Sequence, residues 1–65
     1  MYTIQVFTPD GEFIEGHTHS SIDGARVVAT SRARALVGVS TVRDASGAVL
    51  YRVYPDGYER ALSAH

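Results

Sequence analysis

The chain has no cysteine, no lysine and no tryptophan, and only two prolines in 65 residues. Without cysteine there is neither a disulfide framework nor a thiolate metal site, so the usual staples of so short a chain are missing. A domain of this size buries only about 60% of the surface its unfolded chain exposes, so reinforcement, where needed, has to come from a partner or a second copy. No segment approaches the roughly 18 to 20 apolar residues needed to cross a bilayer, and the opening MYTIQVF has no basic stretch of the signal-peptide kind. The expectation is a cytoplasmic protein with no membrane partner. The chain starts at a methionine and carries no linker or low-complexity tract, which reads as one complete small domain over residues 1–65.

Charge of one sign is also missing: six basic and seven acidic side chains leave a formal −1. That is neither the polybasic balance of a nucleic-acid binder nor the acidity of a strong DNA mimic, so bulk charge names no partner. Every basic residue is arginine, at 26, 32, 34, 43, 52 and 60. With alanine and valine abundant, a GC-rich genome explains that choice as well as guanidinium chemistry does.

Periodicity is present. In YTIQVF, Tyr2, Ile4 and Val6 alternate with Thr3, Gln5 and Phe7, the pattern of a strand with one buried face and the even positions inward. TPDGEF then predicts a reversal, with Pro9 presetting φ and Gly11 supplying a left-handed position, into a second strand from Glu12 to about Thr18. From Ser20 the period changes: Ile22, Ala25, Val28, Ala29, Ala33, Leu36 and Val37 share one side of a helix, with Gly38 at the position of a C-terminal cap. VSTVRD and AVLYRVY predict a second hairpin around Gly47. The fold class is therefore α+β: a two-layer ββαββ arrangement, a four-stranded mainly antiparallel sheet with one helix on one face. A weak echo, Pro-Asp-Gly at residues 9–11 and again at 55–57, predicts another reversal and a short fifth strand within Tyr58 to Leu62, with Ser63 to His65 frayed.

Few residues suggest chemistry. His17 and His19 sit two apart and share a strand face, and with Asp23, Glu15 or the distant His65 they form the candidate site for a metal or small ligand. The plainer reading is a solvated strand end, so no metal or cofactor is expected. SSID matches a capping box, Ser20 as N-cap and Asp23 at N3, which explains the serine and the carboxylate without catalysis. A Ser20, His19, Asp23 triad would require sequence neighbours to reach triad geometry, and no oxyanion-hole motif accompanies them. The chain is not expected to be an enzyme.

Three surfaces remain. Asp10, Glu12 and Glu15 form an acidic patch on the first hairpin that suits a basic partner, or that simply protects a hairpin tip. Phe7, Phe13 or Ile14, Leu50 or Tyr51, and Tyr54 cannot all lie under one helix, because neighbouring strand residues point oppositely. Part of the sheet must then be covered by a protein partner or a second copy, with Phe13, Tyr51 and Tyr54 as anchors. The helix arginines Arg26, Arg32 and Arg34 make the alternative a small dimeric nucleic-acid-binding or regulatory protein. In size and element order the chain resembles small phage-encoded inhibitors of bacterial defence complexes, of the anti-CRISPR kind, which is a likeness of fold and not of site. The expected function is a non-enzymatic interaction module that binds and occludes a surface on a larger protein or nucleoprotein complex.

Overall fold

The structure, a computed structural model, describes residues 1–62. The elements run β1 (Tyr2–Phe7), β2 (Phe13–His19), α1 (Ile22–Leu36), β3 (Val39–Arg43), β4 (Val49–Val53) and β5 (Glu59–Ala61). They form a five-stranded sheet in the order β2-β1-β3-β4-β5, antiparallel throughout, with α1 on one face. The expected α+β class and the C-terminal fifth strand are both there; the fraying expected of Ser63 to His65 falls outside the described residues.

The core follows from the two periods. Ile4, Val42 and Val53 project from adjacent strands against Ala25, Ala29 and Ala33, all fully buried. Alanine at every fourth helical position lets the helix axis come close to the sheet, so branched strand residues fill the gap between the layers. Tyr2, Ile22, Val28 and Tyr51 close the margins of this cluster.

Both helix ends differ from expectation by one residue, for identifiable reasons. The N-cap is Ser21, not Ser20: its backbone is extended (φ −118°, ψ 150°) and its hydroxyl accepts the Gly24 N–H at 3.0 Å. That puts Asp23 at the second helical position, where it still faces the positive helix end but cannot complete a capping box. At the other end the left-handed residue is Val37 (φ 52°, ψ 46°), not Gly38, and Val37 is exposed beyond the helix rather than part of its buried stripe. Gly38 is needed for space. A Cβ there would lie well inside 3.0 Å of the Phe7 carbonyl oxygen, so this glycine lets the chain cross the end of β1 and enter β3.

The three hairpin connections share one geometry. In Thr8–Glu12, Asp44–Ala48 and Tyr54–Tyr58 the first N–H donates to the fifth carbonyl, and the glycine N–H donates back to the first carbonyl. The glycine in each has a φ of +92° to +97°. This is a type I turn closed by a left-handed residue. The Pro-Asp-Gly echo is thus a repeated turn solution, and Ala-Ser-Gly is its third instance.

Candidate binding face

Strand register decides which side chains reach which side of the sheet. Ile4 pairs with His17 and Val42, and Val6 with Glu15 and Ser40, so these share the helix side. Tyr51, Val53 and Glu59 join them. Two register shifts resolve the aromatic ambiguities left by the sequence. One skips Ile14 and pairs Phe13 with Phe7; the other skips Leu50 and pairs Val49 with Arg43. Phe13 therefore joins Phe7 on the open side, their rings edge-to-face at 5.8 Å, while Tyr51 lies on the helix side.

On the helix side the charges are consumed in pairs. Arg26 clamps Glu59 with Nε at 2.8 Å and Nη2 at 2.7 Å, and its guanidinium lies 4.6 Å from the centre of the Tyr51 ring. Arg32 clamps Glu15 in the same bidentate way at 2.7 and 3.1 Å. His17 Nε2 donates to the same Glu15 carboxylate at 2.6 Å. The Arg32 bonds, and secondarily His17, hold the Glu15 carboxyl down at about 2 against an ordinary 4.5. The Arg26 bonds likewise lower Glu59, and both guanidinium groups are held more firmly charged. Each pair ties α1 to one edge strand, Arg32 to β2 and Arg26 to β5.

His19 serves the helix start. Its Nδ1 accepts the Ser21 N–H at 3.1 Å, which fixes the ring proton on Nε2, and the ring sits where a Cβ on Gly24 would lie. Both histidines therefore point to the helix side and have structural partners. No three His, Asp or Glu side chains cluster as a metal would require among the described residues.

The open side is built differently. Its strand residues include Thr3, Gln5 and Phe7 of β1, Phe13 of β2, Thr41 and Arg43 of β3, Arg52 of β4 and Arg60 of β5. None of its strand positions carries a carboxylate, among the described residues. Arg43 Nε donates to Gln5 at 3.0 Å and Nη1 to the Gly47 carbonyl at 2.8 Å. Arg52 and Arg60 have no hydrogen-bonded or ion-paired partner among the described residues. At the end where β1 and β4 finish, Tyr54 and Tyr58 stack at 5.9 Å and Phe7 and Phe13 meet. A cleft between them is lined by Phe7, Thr41, Arg43, Arg52 and Tyr54. Thr41 is only 6% exposed, and its hydroxyl has no hydrogen-bond partner.

The turn carboxylates bordering this face are occupied locally. Asp10 accepts the Thr8 hydroxyl, Asp44 accepts the Ser46 and Ala48 N–H groups, and Asp56 accepts the Tyr58 N–H. The Ser46 hydroxyl, at 2.6 Å, is the main cause that lowers the Asp44 carboxyl. The residues of the expected acidic patch are thereby separated: Glu12 is exposed at the tip beside Asp10, whereas Glu15 turns to Arg32 under the helix. Of the helix arginines, Arg26 and Arg32 are committed to carboxylates and Arg34 is exposed without one among the described residues. Phe13 and Tyr54 reach the open face; Tyr51 does not.

Sequence reasoning passed over Arg43, Arg52 and Arg60 because each belongs to a different strand and only the ladder brings them together. A signal existed: Arg43 follows the core residue Val42, and Arg52 precedes Val53, so strand alternation alone sends both away from the core.

These features define the class: a small two-layer α+β protein with one covered and one uncovered sheet face. No helix among the described residues is long and apolar enough to cross a membrane. No family model matches the chain, and the comparisons with curated proteins and with solved structures return no match.

Proposed function

We propose that the protein is a non-enzymatic binding module that occludes a surface of a larger protein or nucleoprotein complex, and that the open face of the sheet is the surface it uses. The observation that carries this reading is the segregation of side chains across the sheet. The helix side pairs Arg26 and Arg32 with Glu59 and Glu15, while the open side keeps arginines and exposed aromatic rings together. Aromatic residues and arginine are the side chains that most often anchor interfaces. An exposed cluster of them on so small a domain favours binding over chemistry. Arg26 and Arg32, each already bonded through two nitrogens, give the helix much less to offer.

Site-specific photocrosslinking in an extract of the source organism tests this. A photoreactive phenylalanine analogue is placed at Phe13 or Tyr58 on the open side, and at the exposed Val27 on the outer face of α1. Crosslinks to a macromolecule from Phe13 and Tyr58, and none from Val27, are expected. Crosslinks from Val27 alone, or from none of the three positions, would overturn the assignment.

A further inference from the structure

We infer that the ligand of this open face is single-stranded nucleic acid, with arginines on its phosphates and tyrosines against its bases. The inference rests on the binding-face reading and names the chemistry that reading leaves open.

Three independent observations converge. First, Arg52 and Arg60 are directly opposite each other in the β4–β5 ladder, on one face. Like charges so placed are destabilising, and no carboxylate from either strand offsets them. A retained conflict of this kind marks function, and an anion lying between the two guanidinium groups removes the penalty. Second, the stacked Tyr54 and Tyr58 rings border the same arginines: Tyr54, Tyr58 and Arg60 line one shallow depression together with Asp56, whose carboxylate accepts the Tyr58 N–H, and Arg52 and Tyr54 line the neighbouring cleft. Flat rings beside cations suit a ligand that alternates phosphates with planar bases. Third, Thr41 lines that cleft, and its hydroxyl is buried beneath the surface without a partner among the described residues. Rotation of the Thr41 side chain toward the cleft would give that hydroxyl a phosphate or base-edge acceptor as partner.

Other occupants fit less well. A second copy docked through this face would bring its own Arg43, Arg52 and Arg60 against the same three residues. An acidic protein would neutralise the arginines but offer the tyrosine pair no planar group. Duplex DNA hides the faces of its bases within the stack, so only its phosphates would be used.

Fluorescence anisotropy with labelled 12-nucleotide single strands, one DNA and one RNA, tests the proposal, with a blunt duplex and polyglutamate as comparators. Binding to either single strand supports it. Three arginines at about 0.7 per phosphate predict that log K falls against log salt with a slope of about −2. Arg52→Gln and Arg60→Gln should each flatten that slope by about 0.7. Tyr54→Leu should weaken binding about tenfold and leave the slope unchanged. Arg34→Gln, on the helix, should change neither. Arg52→Gln should also raise the melting temperature of the free protein, because it relieves the like-charge pair; that readout is independent of any ligand.

No binding to either strand at low salt, tighter binding to polyglutamate or duplex than to single strands, or full affinity in both arginine variants would overturn the ligand assignment. If crosslinks from Phe13 and Tyr58 persist while the oligonucleotides fail, the face stands and only the ligand class falls. If the crosslinks fail as well, the face itself is wrong.

Discussion

Val37 and Gly38 should respond oppositely to substitution, although they are neighbours. Val37 holds a left-handed backbone (φ 52°) that a β-branched residue adopts only under strain, and its side chain is 65% exposed. Left-handed geometry costs a non-glycine residue about 1–2 kcal/mol, and a glycine placed there loses roughly 0.5–1 kcal/mol through the greater freedom of its unfolded chain. So little of Val37 is buried that packing adds almost nothing to the difference. Val37→Gly should therefore gain about 0.5–1 kcal/mol, which in a domain of this size raises the melting temperature by about 2–8 °C. Val37→Asn should fall between the two, since asparagine tolerates the left-handed region better than valine. Gly38→Ala should do the reverse. The new Cβ meets a backbone oxygen, that of Phe7, which cannot swing aside as a side chain would. Forcing β1 and β3 apart there costs about 1–3 kcal/mol, as overpacking does elsewhere. Thermal unfolding followed by far-ultraviolet circular dichroism reads both effects. A Val37→Gly protein that melts below the wild type, or a Gly38→Ala protein that melts with it, would refute the division of labour assigned to this helix end.

Three further outcomes are expected. The Ser40 hydroxyl is fully buried without a hydrogen-bond partner, so Ser40→Ala should stabilise the fold by about 1 kcal/mol in urea titration; a loss of stability would mean that the hydroxyl has a partner. Gly24→Ala must displace the His19 ring, so it should be close to neutral alone yet stabilise by about 1 kcal/mol in a His19→Ala background, and additive effects in that double-mutant cycle would sink the proposed contact. Glu15 is held at about 2 in the fold, so the stability it contributes is complete above its ordinary 4.5 and drains away as pH falls toward 2; Glu59, also lowered, acts in the same sense. Glu15→Gln should flatten the fall in urea midpoint across that window, and a fall as steep as the wild type's would show that Glu15 does not contribute.

Elements were legible where one period ran long enough. Alternation in Tyr2–Phe7 and the six helical apolar positions from Ile22 to Leu36 specified both layers, and the turn glycines marked the reversals. The cap positions slipped because two serines are adjacent at the helix start, and because at its end Val37 fits the apolar stripe and Gly38 the usual cap, so only tertiary constraint moves the cap to Val37. For Gly38 that constraint is the Phe7 carbonyl, some thirty residues earlier in the chain. The proposed binding face was half legible. Phe13 and Tyr54 could be named as surplus aromatics, but the bulges at Ile14 and Leu50 determine which aromatics share a side, and alternation does not report a bulge. The acidic patch misled because proximity in sequence was read as proximity in space: Glu15 shares a hairpin with Glu12, yet its carboxylate faces the helix.

The Arg26–Glu59 clamp also bears on how the molecule opens. β5 has three residues and lies at the sheet edge, and on length alone it would be the first piece to fray. Releasing it, however, strips Arg26 of its hydrogen-bonded carboxylate, leaving only the exposed Asp23 at 4.0 Å, and loosens the guanidinium that lies over Tyr51, at the rim of the core. Release of β5 therefore costs more than its length implies, and the one β5 amide turned toward β4, that of Arg60, should exchange faster with solvent once Arg26→Gln removes the clamp.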